Sequence, residues 1–263
     1  MSKIRLPYIE QGDPSGVPLL LLHGATDSLR AYEPVLRHLP DDIHAIAVTM
    51  RGHGDAPKPE SGFAIEDLAA DIVPLMDQLG LGQVVLVGHS LGSLVGSRVA
   101  IDNPERLAGL ILGGAFGHPL SANPALEEVK EFTALEDPIP REIPYEFQSS
   151  TLTRPLPDGM LDGFVDESMK VPARVWGGIF GSTATFDLSD ELGAITAPTL
   201  IVQGGADPYV PESDSDMLLD AIPDSRLIVY EDAGHAFHWE EPERFAADIV
   251  EFSRYSAGLP LSR

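Results

Sequence analysis

Two kinds of hydrophobic pattern alternate along the chain. Short, almost continuous apolar runs occur at Val17–Gly24 (VPLLLLHG), His44–Met50 (HAIAVTM), Gln83–Ser90 (QVVLVGHS), Leu107–Ala115 (LAGLILGGA), Pro198–Pro208 (PTLIVQGGADP) and Ser225–His235 (SRLIVYEDAGH). Runs of this length, rich in leucine and β-branched residues, predict strands buried on both faces. Between them lie segments with helical spacing. The clearest runs from Phe63 to Leu79, where Ile65, Leu68, Ile72, Leu75 and Leu79 share one face and Glu66, Asp67, Asp71 and Asp77 fall largely off it. Pro74 lies inside it and is expected to kink it or remove one hydrogen bond. Shorter helices are predicted in AYEPVLRHLP, LGSLVGSRVAIDNP and DSDMLLDAI, and a last one in PERFAADIVEF, with Phe245, Ile249 and Phe252 together. Strand and helix in alternation predict a parallel sheet covered on both faces. The opening IRLPYIEQGDPSG offers one antiparallel edge strand, turning at Asp13-Pro14-Ser15-Gly16.

The alternation stops between Phe116 and Gly193. This stretch is rich in proline, has no clean run of buried strands, and carries short helical patterns such as NPALEEVKEFTAL. A structureless loop of that length does not suit a compact domain. A helical cap inserted over one end of the sheet does. The expected organisation is therefore a first core part at 1–115, a cap at 116–193 and a second core part at 194–263.

Within the third strong run the chain passes into Gly88-His89-Ser90-Leu91-Gly92. With 25 glycines in 263 residues, G-x-S-x-G arises by chance in roughly one chain in six. Here it lies between a predicted buried strand and a predicted helix, the context of a nucleophile elbow. Bare positions two before and two after the serine let the chain reverse sharply and push the hydroxyl out at the sheet's C-terminal edge, at the positive end of the next helix. A serine nucleophile needs a base, and the base an orienting carboxylate. Asp207 follows the TLIVQGG strand and His235 follows SRLIVYEDAG, so the chain order is Ser90, Asp207, His235. His238 is the competing base, and Asp232 a loop carboxylate of lesser claim. The oxyanion donors are expected to be the backbone N–H of Leu91 and, from the turn after LLLLHGA, that of Ala25. Gly24 there allows close backbone approach, and Thr26 and Ser28 suit ordinary turn roles.

Taken together, HGA, RGHG, GHSLG, GGADP and AGH resemble the α/β-hydrolase superfamily over nearly the whole chain. The resemblance implies a mostly parallel eight-stranded sheet, a cap inserted after the sixth strand, and no cofactor. One departure stands out: relatives often carry Asp shortly before R-G-x-G, and here Thr49-Met50 precede Arg51. Serine at position 90 disfavours the dehalogenases and epoxide hydrolases of the superfamily, whose nucleophile is Asp. Four readings stay open. The favoured one is hydrolysis of a carboxylic ester or lactone through an acyl-enzyme. The others are C–C bond hydrolysis of a diketone, cofactor-free perhydrolysis, and a ligand-binding receptor that keeps the triad.

Charge and composition narrow the partners. The chain carries 17 Lys+Arg against 41 Asp+Glu, a net charge of −24. It repels phosphate backbones and anionic lipid, so neither nucleic acid nor membrane is an expected partner. With no cysteine there is no disulfide, thiolate nucleophile or Cys-ligated metal. His53 belongs to the turn after a strand, His38, His44 and His118 show no metal spacing, and neither H-E-x-x-H nor a P-loop occurs. No signal-peptide pattern opens the chain, and a cytoplasmic location is expected. The cap aromatics Phe116, Phe147, Trp176 and Phe180, with His23, are candidate pocket residues; Phe132, Tyr145 and Phe164 are further cap aromatics. They suit a small neutral or hydrophobic ester or lactone.

Overall fold

The computed structural model describes residues 5–117 and 126–258. His118 and Asn123–Ala125, which begin the predicted NPALEEVKEFTAL helix, lie outside the described residues. Seven strands form one sheet: β1 (Tyr8–Gln11), β2 (Val17–Leu22), β3 (Ile43–Val48), β4 (Val84–His89), β5 (Leu107–Gly113), β6 (Thr199–Gly204) and β7 (Ser225–Tyr230). Their order is β1-β3-β2-β4-β5-β6-β7. Only β1 is antiparallel, pairing with β3; every other neighbour pair is parallel.

The expected eight strands are corrected to seven among the described residues, and the helical insertion follows the fifth of these. The apolar pattern itself contains six buried runs and one edge candidate; the eighth strand came from the family resemblance alone.

The inner strands β2 to β6 are largely apolar and almost wholly buried because both faces are covered, while the edge strands β1 and β7 are more exposed. Leu20, Leu22 and Leu86 pack on one side with α2 (Ile65–Gln78) and α3 (Leu91–Asp102). Leu19, Leu21, Val85 and Val87 pack on the other with α1 (Glu33–Leu36) and the C-terminal helix. Successive strand residues point to opposite faces, so each run serves both layers. Asp67 Oδ2 accepts the Ala64 N–H at 3.2 Å and caps α2. That helix runs on through Pro74 to Gln78, at the cost of one backbone hydrogen bond.

From β2 the chain crosses one way to β3, then back past β2 to β4. The carboxyl ends of β2 and β4 thus meet at the switch point, where open α/β sheets form their crevice. Between β5 and β6 the described residues form α4 (Leu126–Thr133), α5 (Glu142–Ser150), α6 (Met160–Ser168) and α7 (Ala173–Thr183), and no strand. These helices are tied to that end of the sheet. Ser182 Oγ accepts the Ile65 N–H at 3.1 Å, and the Arg174 guanidinium donates to the Lys58 carbonyl at 2.8 Å. The fold closes with α8 (Glu212–Ala221), α9 (Phe237–Glu240) and α10 (Pro242–Ser256). Among the described residues no helix is long and apolar enough to cross a membrane.

Candidate active site

Ser90 stands between β4 and α3 with φ +52° and ψ −116°. A non-glycine residue at positive φ is strained, and the surroundings impose it. The Ser90 N–H donates to the Gly113 carbonyl at 2.8 Å, and Ser93 Oγ donates to the Ser90 carbonyl at 2.6 Å. The flanking glycines are required sterically. A Cβ at Gly88 would lie 2.2 Å from the Gly92 oxygen, and one at Gly92 would lie 2.2 Å from the Leu22 oxygen.

β6 and β7 bring the other two groups together. Gly205 N–H donates to the Tyr230 carbonyl at 2.8 Å and Ala206 N–H to the Ala233 carbonyl at 3.0 Å, which locks the two loops side by side. His235 Nδ1 then lies 2.7 Å from Asp207 Oδ2. Asp207 Oδ1 accepts the N–H groups of Tyr209 at 2.8 Å and Val210 at 3.0 Å. The carboxylate is sealed from solvent. Burial pushes its pKa up, but the His235 ring and the two amides outweigh burial and hold it below the usual range. It is an anion in the right place to orient an imidazole.

His238 is placed differently. It is fully buried, its ring centroid 4.1 Å from that of His89 and 5.7 Å from that of Tyr32. Neither of its nitrogens has a hydrogen-bond partner among the described residues. Burial first, and then His89 and His235, hold it neutral well below the ordinary histidine pKa. Asp232 is exposed, and its carbonyl accepts from Thr153 Oγ1. The carboxylate partner therefore belongs to His235 and not to its competitor.

Ser90, His235, Ala25 and Leu91 line one pocket, with a water-fillable volume of about 50 Å³, together with Phe116, Phe147 and Phe180. Leu91 opens α3 and Ala25 follows β2, so both candidate oxyanion residues sit at the switch point. Two expected pocket residues are corrected. Trp176 stands behind the wall, its ring centroid 5.7 Å from Phe147 and 5.5 Å from Phe180. It is fully buried, because the shorter phenylalanines in front complete the surface. His23 is buried too. Its Nε2 accepts the Met50 N–H at 3.0 Å, so its Nδ1–H donates to the Gly24 carbonyl at 2.8 Å. Burial holds it neutral. It props the Ala25 loop against the turn after β3. At the departure from the family pattern, Thr49 Oγ1 accepts the Leu29 N–H at 3.0 Å.

Sequence reading missed Asp27 and Gln148. Asp27 is 5% exposed. Its Oδ1 accepts from Gln148 Nε2 at 2.8 Å, and that amide also donates to Ser168 Oγ at 2.9 Å. Burial pushes the Asp27 carboxyl up to about 7, against the pull of Gln148, His235 and the Gly24 backbone. The HGATDS turn gives Asp27 the look of an ordinary loop carboxylate; Gln148, more than a hundred residues away, seals it. His89, beside the nucleophile, donates from Nε2 to the His235 carbonyl at 2.8 Å, and burial lowers its pKa to about 3. Among the described residues no group of three or more His, Asp or Glu side chains is arranged to hold a metal ion.

Residues 19–248 match the profile of the alpha/beta hydrolase family. The chain belongs to that family. A protein of Variovorax paradoxus (strain S110) named for carbamate hydrolysis, RutD, is 32% identical to this hydrolase, over 97% of this chain and 99% of its own. The 2-(acetamidomethylene)succinate hydrolase of Mesorhizobium japonicum is 28% identical, over 96% of this chain and 92% of its own. Among solved structures, an esterase (EaEST) from Exiguobacterium antarcticum superposes with a TM-score of 0.85 at 25% identity, covering 95% of each chain. The family so contains acyl and related hydrolases on one scaffold, and the site must choose among them.

Proposed function

We propose that this hydrolase cleaves a small, neutral, hydrophobic carboxylic ester or lactone through an acyl-enzyme on Ser90. The observation that carries the reading is the buried Asp207–His235 pair beside a strained serine, in a pocket without a single charged wall residue among those described.

In this reading Asp207 holds His235 in the tautomer that carries its proton on Nδ1, leaving Nε2 free to take the Ser90 proton. The hydroxyl oxygen attacks the carbonyl carbon, and the backbone N–H groups of Ala25 and Leu91 receive the developing oxyanion. His235 then returns the proton to the leaving alcohol, and water repeats the cycle to free the acid. In this reading helices α4–α7, within the 116–193 insertion, act as a cap and shield the acyl pocket from bulk water.

The lining also argues about substrate. Phe116, Phe132, Phe147, Phe180 and Val129 supply apolar surface, while Ser90, Thr183, Tyr209 and His235 supply the polar groups. A succinate-type substrate, as in the name of the Mesorhizobium relative, carries carboxylates that need cationic partners when buried. Among the described residues the lining has none. The same point weighs against C–C substrates that bear acid groups.

The test compares kcat/KM for a neutral phenyl ester with that for the matching ester carrying a free carboxylate on its acyl chain. A preference of about a hundredfold or more for the neutral ester is expected, from the cost of burying an unpaired charge. Equal rates, or faster turnover of a carbamate or a 1,3-diketone, would overturn the substrate assignment.

A further inference from the structure

Ser90 and His235 border a second space besides the apolar pocket. It shares Ala25, Ser90, Phe147 and His235 with that pocket and is otherwise walled by Asp27, His89, Gln148 and their neighbours. Its water-fillable volume is about 20 Å³, enough for a single water molecule. An apolar cavity of this size stays dry, whereas one with two to four polar partners holds its water.

The partners are present. His89 must donate from Nε2 to the His235 carbonyl, so its Nδ1 is a bare acceptor, and this atom is buried with no partner among the described residues. Asp27 spends Oδ1 on Gln148. Its Oδ2 and His89 Nδ1 converge on the bare face of Gly24: a Cβ built there would lie 3.0 Å from the first, 3.1 Å from the second and 3.5 Å from Ser90 Cβ. One buried unpartnered acceptor, His89 Nδ1, and the buried Asp27 carboxyl thus face a one-water space that Ser90 and His235 also border, with Gly24, Thr151, Ala236 and Trp239 completing the wall. Gln148, itself 1% exposed, fixes the carboxylate from α5.

We propose that Asp27 is a catalytic residue of the second half-reaction, holding in this chamber the water that hydrolyses the acyl-enzyme. The inference rests on the acyl-enzyme reading above. The acyl chain occupies the phenylalanine pocket, and the water waits on the polar side of Ser90. One water proton points to His89 Nδ1, the Asp27 carboxyl is the water's further polar partner, and the other proton points to His235 Nε2. As the water oxygen bonds to the acyl carbon, His235 takes that second proton. The C–Oγ bond then breaks, His235 returns the proton to Ser90 Oγ, and the product acid leaves with the water's oxygen and its remaining hydrogen. The chamber suits water and little else, so it also favours hydrolysis over acyl transfer to bulky alcohols.

The experiment uses p-nitrophenyl acetate and stopped-flow absorbance to read the acylation burst and the steady state separately, with intact-protein mass spectrometry on the quenched enzyme. In Asp27→Asn the acylation rate is expected to stay within about threefold of wild type. Deacylation is expected to slow about tenfold, the loss of one oriented hydrogen bond to the attacking water, and the acetylated form to accumulate. Gln148→Met, which frees the carboxylate without touching Ser90 or His235, is expected to slow deacylation selectively too, and it decides the matter if Asp27→Asn fails to fold by circular dichroism. Unchanged deacylation, or a fall in both steps by the same factor, overturns the role of Asp27. A wild-type enzyme that turns over with no burst and no acetyl adduct shows instead that the acyl-enzyme reading has failed.

Discussion

Asp27→Asn is expected to stabilise the protein at alkaline pH and to stabilise it much less at acid pH. The folded chain holds the Asp27 proton up to about pH 7, whereas the unfolded chain releases it near 3.8. Between those values the folded state binds more protons, so the Asp27 contribution to stability falls as pH rises. The charges that face it are few: His235 acts on its carboxylate, and it acts in turn on the buried Tyr32 hydroxyl, whose proton burial and Asp27 both hold more tightly. At 1.36 kcal/mol per pH unit, the part lost between pH 5 and pH 8 amounts to about 3 kcal/mol. Asparagine has no proton to lose, keeps the shape, and still offers Gln148 an oxygen. The Tm advantage of Asp27→Asn over wild type should therefore grow by roughly 6–10 °C from pH 5 to pH 8. Thermal melts of both proteins at the two pH values, in one ionic strength, measure it. Taking the difference between the proteins cancels the repulsion of the acidic surface, which they share. A Tm difference that is the same at both pH values would show that Asp27 is ionised throughout and that burial does not govern it.

Asp207→Asn should lower kcat by about a thousandfold or more, because the imidazole loses its anion and its tautomer, while Asp232→Asn on the exposed loop should leave kcat near wild type; steady-state kinetics on one neutral ester compares them. His235→Gln should abolish turnover, whereas His238→Leu should keep most of it, since His238 has no hydrogen bond to lose; loss of activity in a folded His238→Leu would return the base to that residue. Gly92→Ala should destabilise the fold by several kcal/mol, about 2 to 5, because its Cβ would meet the Leu22 carbonyl at 2.2 Å, and urea melts will show it.

Much of this architecture was written in periodicity. The six apolar runs became β2 to β7, and the Phe63–Leu79 pattern became Ile65–Gln78 with the predicted face buried. Those signals are strong because a strand covered on both faces leaves few positions for polar side chains. The edge strand was legible from its turn, but its residues are mostly exposed, so pattern alone could not decide how many such strands exist. The elbow was legible because steric demand selects glycine at Gly88 and Gly92 regardless of what the serine does. The contact of Asp207 with His235 was legible from their place after strands, and the loops that join them are backbone-bonded, which no side-chain pattern reveals. Trp176 and His23 were misplaced for a common reason: sequence says which residues are apolar or aromatic near a site, not which stand in front and which behind. Asp27 and Gln148 were missed because their meaning arises only when a carboxylate and an amide distant in the chain are buried against each other.

In the proposed mechanism Ser90 forms a covalent acyl-enzyme with His235 as its base. Acid-quenching the enzyme during turnover of a neutral phenyl ester, followed by peptide mapping, tests it most directly. One acyl group per chain is expected on the peptide containing Ser90, absent from Ser90→Ala together with turnover. Turnover that persists in folded Ser90→Ala, or an acyl group trapped on any other residue, would contradict it.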